Sequence, residues 1–236
     1  MRAATAAAPD HAGTDTTSAT GGKNLLRLLT WLSPAFPTGA YAYSHGLEWA
    51  VEAGDVRNEH ALHDWIETLL HHGSARSDAI LLRHAHRAET ASALAEVAEL
   101  AAAAQPGRER RAETLNQGDA FAIAATVWGA PLLEGLRPVA YPVAIGALAR
   151  AQGVPEHPAA TAFLHAFTAN LVSAAVRLVP LGQTAGLRVL ARLEPAIAAV
   201  AQHTAAATLD DIGGACFRSD IASLRHETQY TRLFRT

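Results

Sequence analysis

From residue 24 onward the chain reads as one helix after another, and that period restricts its fold more than any other feature. The clearest instance is 58–73. Asn58 is placed to cap a helix whose Leu62, Trp65, Ile66, Leu69 and Leu70 stand at i, i+3, i+4, i+7 and i+8, and Gly73 closes it. That spacing puts all five side chains on one stripe that has to be buried. No convincing stretch alternates with the period of two that a half-buried strand needs. The same reading gives a helix at 25–32, capped by Asn24 and ended by Ser33-Pro34, and a second running from Ser44 as its cap to Gly54. Others follow at 77–88, 90–104, 108–128, 141–152, 158–179 and 183–203, with Pro106-Gly107, Gly129 and Pro131 as breaks.

The segment 158–179 stands apart. Phe163, Leu164, Phe167, Leu171, Leu178 and Val179 cover one face, and Ala162, Ala166, Ala169 and Ser173 keep the other small. A helix that is apolar or small all round is expected in the middle of a bundle. Residues 158–176 hold no Asp, Glu, Lys or Arg, but they are mostly Ala and include His165 and Asn170, so a core helix is expected rather than a membrane span. No internal repeat of solenoid length is found. The expectation is all-α: a single-domain irregular helical bundle over 24–236, after a disordered leader at 1–23 that is small, polar and without the apolar core of a signal peptide.

With 236 residues, half of them hydrophobic, the chain can bury one substantial core. A formal charge of −3 lacks the basic excess of a nucleic-acid protein, so no nucleic-acid partner is expected. Cys216 is the one cysteine, which excludes an internal disulfide and any multi-cysteine metal site. It reads as a small hydrophobe in a reducing, cytoplasmic setting.

The stretch "SPAFPTGAYAYSHGLE" at 33–48 has the look of a site. It carries no GxGxxG and no GxxxxGK[ST], and no parallel strands surround it, so nucleotide binding is not expected and no cofactor is implied. Ser44 and His45 are adjacent, which rarely lets two side chains converge as nucleophile and base, and Ser44 is better used as a helix cap. Prolines fix φ and glycines permit tight turns, so the loop can present Tyr41, Tyr43 and His45, with Glu48 close by, in one arrangement for a protein partner. A small helical enzyme using the loop as its pocket is the rival reading. Metal chemistry has one candidate: His60, Asp64, Glu67 and His71 at i, i+4, i+7 and i+11, with His63 and His72 nearby. Either this is a surface site of a nickel metallochaperone or it is a solvated face opposite the apolar stripe. His84 and His86, two apart, point to different sides of a helix. The end of the chain, 217–236, sets Arg218, Arg225, Arg232 and Arg235 among Leu224, Tyr230, Leu233 and Phe234. Arginine and aromatic residues anchor interfaces, so this tail docks either on a partner or on its own domain.

Several stretches together resemble the urease accessory protein F family. "LSPAFPTGAYAYSHGLEWAV" is similar to its N-terminal signature, "AAVRLVPLGQTAGLRVL" at 174–190 to an internal one, "SDIASLRHETQYTRLFRT" to its C-terminal one, and "LNQGDAF" at 115–121 fits a weaker middle motif. The likeness covers about 25–236. Ala40 stands where the family usually has a second glycine, and Ala185 and Leu187 depart from the Asp and Gln it often has. The resemblance implies an all-α, dimeric, non-catalytic protein. It would bind accessory protein D (H in some organisms) and with it recruit the GTPase accessory protein G, so that nickel reaches apo-urease. It places partner contacts at Tyr41, Tyr43, His45 and Glu48 and, in a tail that orders on binding, at Arg225, His226, Tyr230, Arg232, Leu233, Phe234 and Arg235. Arg177 and Gln183 fall in the internal motif, where helix capping or core hydrogen bonds explain them equally well.

Overall fold

A computed structural model describes residues 14–236, with side chains from residue 20. Among the described residues the secondary structure is helical, with no strand. The helices are α1 (Thr14–Trp31), α2 (Leu47–Glu52), α3 (Glu59–His72), α4 (Ser74–Arg87), α5 (Ala91–Ala103), α6 (Arg108–Ala124), α7 (Tyr141–Ala151), α8 (Glu156–Leu178), α9 (Gln183–His203) and α10 (Phe217–His226). Short 3-10 turns fill several of the connections. The chain is all-α, as its period predicts.

The expected caps operate where a helix begins cleanly. The Asn58 side chain accepts from the Ala61 N–H at 2.9 Å, Thr90 does the same for Ala93 at 3.1 Å, and Gly73 ends α3. Two expectations at the front of the chain are corrected. Helix α1 starts at Thr14, so Asn24 lies inside it, and its side-chain amide donates to the Gly153 carbonyl at 3.2 Å instead of capping. The remainder of the expected leader, 1–13, lies outside the described residues. Ser44 is only half a cap. Its hydroxyl oxygen accepts from the Glu48 N–H at 3.3 Å, but Gly46 is the residue that opens α2, in the left-handed region at φ +75°.

Helices α4 and α8 share the centre of the bundle. Helix α8 packs on α2, α3, α4, α7 and α9, although its small face is half-exposed, with His165 and Ser173 in solvent, and α4 packs on α3, α5, α7 and α8. The polar residues of α4 disguise this in the sequence. Arg83 is 1% exposed, and its guanidinium is used up by Glu156, the Ala201 carbonyl and the Thr204 hydroxyl. Helix α8 is the one described helix long and apolar enough to cross a membrane, and half of that stretch is buried against protein. Close crossings depend on missing side chains. A Cβ on Gly146 of α7 would stand 2.1 Å from the Leu82 carbonyl oxygen of α4, and one on Gly118 of α6 2.0 Å from the Val139 carbonyl oxygen. The core has two lobes. One joins α1 and α4–α7 with the start of α8, and the other joins α2, α3, the rest of α8, α9 and α10, with Phe234 of the tail inside it.

Candidate functional site

The stretches that stand out in the sequence meet at one place. The loop 33–46 turns back at His45 and Gly46, both left-handed at φ +56° and +75°. This turn lets the chain pass against α10, where a Cβ on Gly46 would come within 2.6 Å of the Ser223 nitrogen. The tail beyond α10 then runs back along the loop. The Arg235 N–H donates to the Ala42 carbonyl at 2.8 Å, and the Ser44 N–H to the Thr236 carbonyl at 2.9 Å. The Ser44 hydroxyl donates to that same carbonyl.

Glu48 holds the tail from within. It is 6% exposed, and its carboxylate accepts the Leu233 N–H at 2.6 Å and the Phe234 N–H at 2.9 Å. His226 Nε2 lies 3.1 Å from the same carboxylate, and His226 Nδ1 lies 2.8 Å from Glu109, which also pairs with Arg232 at 2.6 Å. From the other side, Arg177 of α8 stacks on the Phe234 ring at 4.3 Å and donates to the Tyr41 carbonyl at 2.8 Å. Asn170 donates to the Tyr43 carbonyl at 3.3 Å. Arg177 thus ties the internal motif to both the loop and the tail, while Gln183 is exposed at the first turn of α9.

Beneath the loop lies a buried charged cluster. Arg110 and Glu113 of α6 pair, His45 Nδ1 faces both, and the Thr236 hydroxyl donates to Glu113 at 2.8 Å. Gln117, from the middle motif, donates to Glu113 at 3.1 Å. Burial lowers the His45 pKa, and Arg110 lowers it further against the pull of Glu113. Burial works to raise the Glu113 carboxyl, but Arg110, then His45 and the bonds from His45 and Thr236, hold it down to about 2. Asp78 of α4 is pushed up to about 7 by burial, which outweighs Arg110. The cluster floors a groove of about 1010 Å³ whose walls include Leu25 and Leu29 of α1, Tyr41, and Ala162 and Ala166 of α8.

Asp78 gives the pH dependence a definite sign. Between the ordinary 3.8 and about 7 the folded chain keeps a proton that the unfolded chain has released, so this group makes stability fall as pH rises through that window. Asp78→Asn lacks the effect. Its stability relative to the parent chain is expected to improve by up to roughly 3 kcal/mol from pH 5 to pH 8. Urea denaturation at the two pH values measures this, and a pH-independent difference between the chains would refute it.

The expected contact residues divide sharply. Tyr43, His45, Glu48, His226 and Phe234 are buried; Tyr41, Arg225, Tyr230, Arg232, Leu233 and Arg235 are exposed. Tyr43 is therefore a core residue and not the tip of the loop. Sequence reading missed α10 as a helix, and with it a stripe at i, i+4 and i+7 that points outward: Phe217, Ile221 and Leu224, exposed by 71%, 55% and 48%. The 3.6 period of those three was the available signal.

The histidine face of α3 also differs in detail. His63, not His71, joins Asp64 and Glu67: His63 Nδ1 lies 3.1 Å from Asp64 and 3.9 Å from Glu67, and His60 Nε2 lies 3.3 Å from Asp64. His71 packs its ring beside His72 instead. His84 and His86 reach different carbonyls, those of Ala207 and Val154, as their spacing requires. Cys216 is buried and donates to the Thr68 carbonyl at 3.3 Å, and burial pushes its thiol up to about 11, which suits a small hydrophobe.

Comparison with known proteins agrees with the motifs that meet here. The family model UreF matches residues 56–194. A urease accessory protein UreF of Bradyrhizobium diazoefficiens is 54% identical over 221 residues, covering 90% of this chain and 91% of that protein. One from Bradyrhizobium sp. strain ORS 278 is 55% identical, covering 93% and 96%, and one from Xanthobacter autotrophicus is 54% identical, covering 90% and 91%. The match spans α8 and the first part of α9, and with relatives more than half identical over nine-tenths of its length the chain belongs to the UreF family.

Proposed function

We propose that the protein acts in urease maturation through protein contact, without a reaction of its own. With accessory protein D (H in some organisms) it recruits the GTPase accessory protein G, and the assembly passes nickel to apo-urease. The observation that carries this reading is the outer surface of α10 and the tail. Phe217, Ile221, Leu224, Tyr230 and Leu233 face solvent among Arg218, Arg225, Arg232 and Arg235, on a backbone held from beneath by Glu48 and with the Arg232 side chain paired to Glu109. Exposed apolar and aromatic side chains interleaved with arginine, on a base that is already ordered, suit docking at low entropic cost. The buried residues of the pattern position this surface, and the exposed ones touch the partner.

A homodimer completes the proposal. The groove beside α1 leaves Leu25 and Leu29 exposed by 58% and 62% opposite the small-residue face of α8, with Leu26 exposed by 67% on the same helix, a pairing suited to a second copy. Any effect on the GTPase comes from unequal binding to its nucleotide states, since a partner shifts only states that it binds unequally.

The docking surface is tested by Ile221→Asp combined with Tyr230→Ala, both at solvent-facing positions. The double variant is expected to unfold at the parental temperature and to lose co-purification with accessory protein D. Retained complex would refute the assignment. Truncation after Leu224 is a poorer test, because it also removes the buried His226, Phe234 and Thr236.

A further inference from the structure

We propose that the outer face of α3 is a surface site for a divalent cation of the nickel–zinc class, with His63, Asp64 and Glu67 as ligands and His60 as a fourth donor. The inference rests on this face alone and is independent of the partner reading. The four residues lie within one sector of the helix, on successive turns. One atom from each of His63, Asp64 and Glu67 falls within 4.8 Å of the other two, before any ion draws them in. An ion bound at about 2.0–2.2 Å sets neighbouring ligand atoms roughly 3 Å apart. The 3.1 Å and 3.9 Å separations around His63 Nδ1 are already close to that, and His60, 3.3 Å from the other Asp64 oxygen and outside this group of three, would swing in as the fourth donor.

The charge pattern is a separate observation. Asp64 and Glu67 form their ion pairs with imidazoles alone. Other solvent-facing carboxylates that pair do so with arginine: Asp55 with Arg218, Glu59 with Arg188, Glu89 with Arg150. Among the described residues no arginine or lysine pairs with these two carboxylates, which leaves their oxygens, beside two imidazoles, as donors. Mixed imidazole–carboxylate sets suit zinc, nickel and copper better than calcium or magnesium. The side chain of His63 is 12% exposed, so packing holds it in place, while Asp64 at 55% stays open to solvent. Water completes the coordination, and an ion held this way exchanges readily. The same helix also anchors the approach to α10, through the Ala215 N–H to the His72 carbonyl at 2.8 Å and Cys216 to the Thr68 carbonyl. An ion on α3 would therefore sit one helix away from the proposed docking surface.

Titration of the full chain with nickel and with zinc, in a non-coordinating buffer followed by calorimetry, tests the site. The expected result is one ion per chain. His63→Ala and Asp64→Asn each weaken binding by on the order of tenfold or more, and His71→Ala leaves it unchanged. Circular dichroism confirms the fold of each variant, and a cobalt titration gives a d–d spectrum that should vanish in His63→Ala. Absence of binding by the parent chain, unchanged affinity in His63→Ala or Asp64→Asn, or an equal loss in His71→Ala would overturn the proposal.

Discussion

Glu48→Ala is expected to lower the stability of the protein by about 4 kcal/mol, or to free the tail before the core unfolds. The carboxylate accepts from two backbone N–H groups, those of Leu233 and Phe234, and faces one ring nitrogen of His226, all in a setting where Glu48 is 6% exposed. Removing it strands those partners. A buried donor left without an acceptor costs about 1–3 kcal/mol, and breaking a buried ionic contact from one side costs about 3–5 kcal/mol. Glu48→Gln recovers only part of the loss, because one of its two oxygens becomes an NH₂ that meets donors. Urea denaturation reads the global cost. Hydrogen exchange reads the local alternative, as protection lost at 226–236 while α4 and α7 keep theirs. Glu99→Ala, on an exposed face of α5, should change stability by less than about 0.5 kcal/mol. A Glu48→Ala chain within about 1 kcal/mol of the parent, with an equally protected tail, would show that the tail does not depend on this carboxylate.

How much of this was legible in the sequence depends on which physical signal each element carried. Helix α3 was readable to the residue, because an apolar stripe and the terminal Asn58 and Gly73 agree on where to start and stop, and the bounds expected for α9, 183–203, also hold. The start of α1 was not, since residues 14–23 carry no apolar period and include Gly21 and Gly22, which cost about 1 kcal/mol each in a helix interior. The central place of α4 was hidden because Asp78 and Arg83 look like surface residues until their burial is seen. The stripe of α10 was present in the sequence but pointed outward, and outward stripes are read as core by default. The site itself was half legible. Its residues were visible as motifs, but whether Tyr43 or Tyr41 faces solvent, and whether Glu48 meets a partner or its own tail, depends on contacts 127 or more positions apart.

Gly46→Ala separates two demands that the turn makes on one residue. The first is conformational: at φ +75° an alanine pays about 1–2 kcal/mol for the left-handed region. The second is spatial. The added Cβ would stand 2.6 Å from the Ser223 nitrogen and 2.9 Å from its Cα, both backbone atoms of α10, so the helix itself must move. Forcing such a shift costs a further 1–3 kcal/mol or so. Gly39 in the same loop is the matched control, with φ +71° and nothing within 4 Å of its would-be Cβ. Gly39→Ala is expected to cost only the conformational part, about 1 kcal/mol, and to leave the proposed binding of accessory protein D unchanged. Gly46→Ala is expected to cost about 3 kcal/mol and to weaken that binding, because displacing α10 carries Phe217, Ile221 and Leu224 with it. Equal costs at the two glycines would mean that α10 yields freely at Ser223. Undiminished binding by Gly46→Ala would mean that the docking surface does not require α10 to be held where the loop places it.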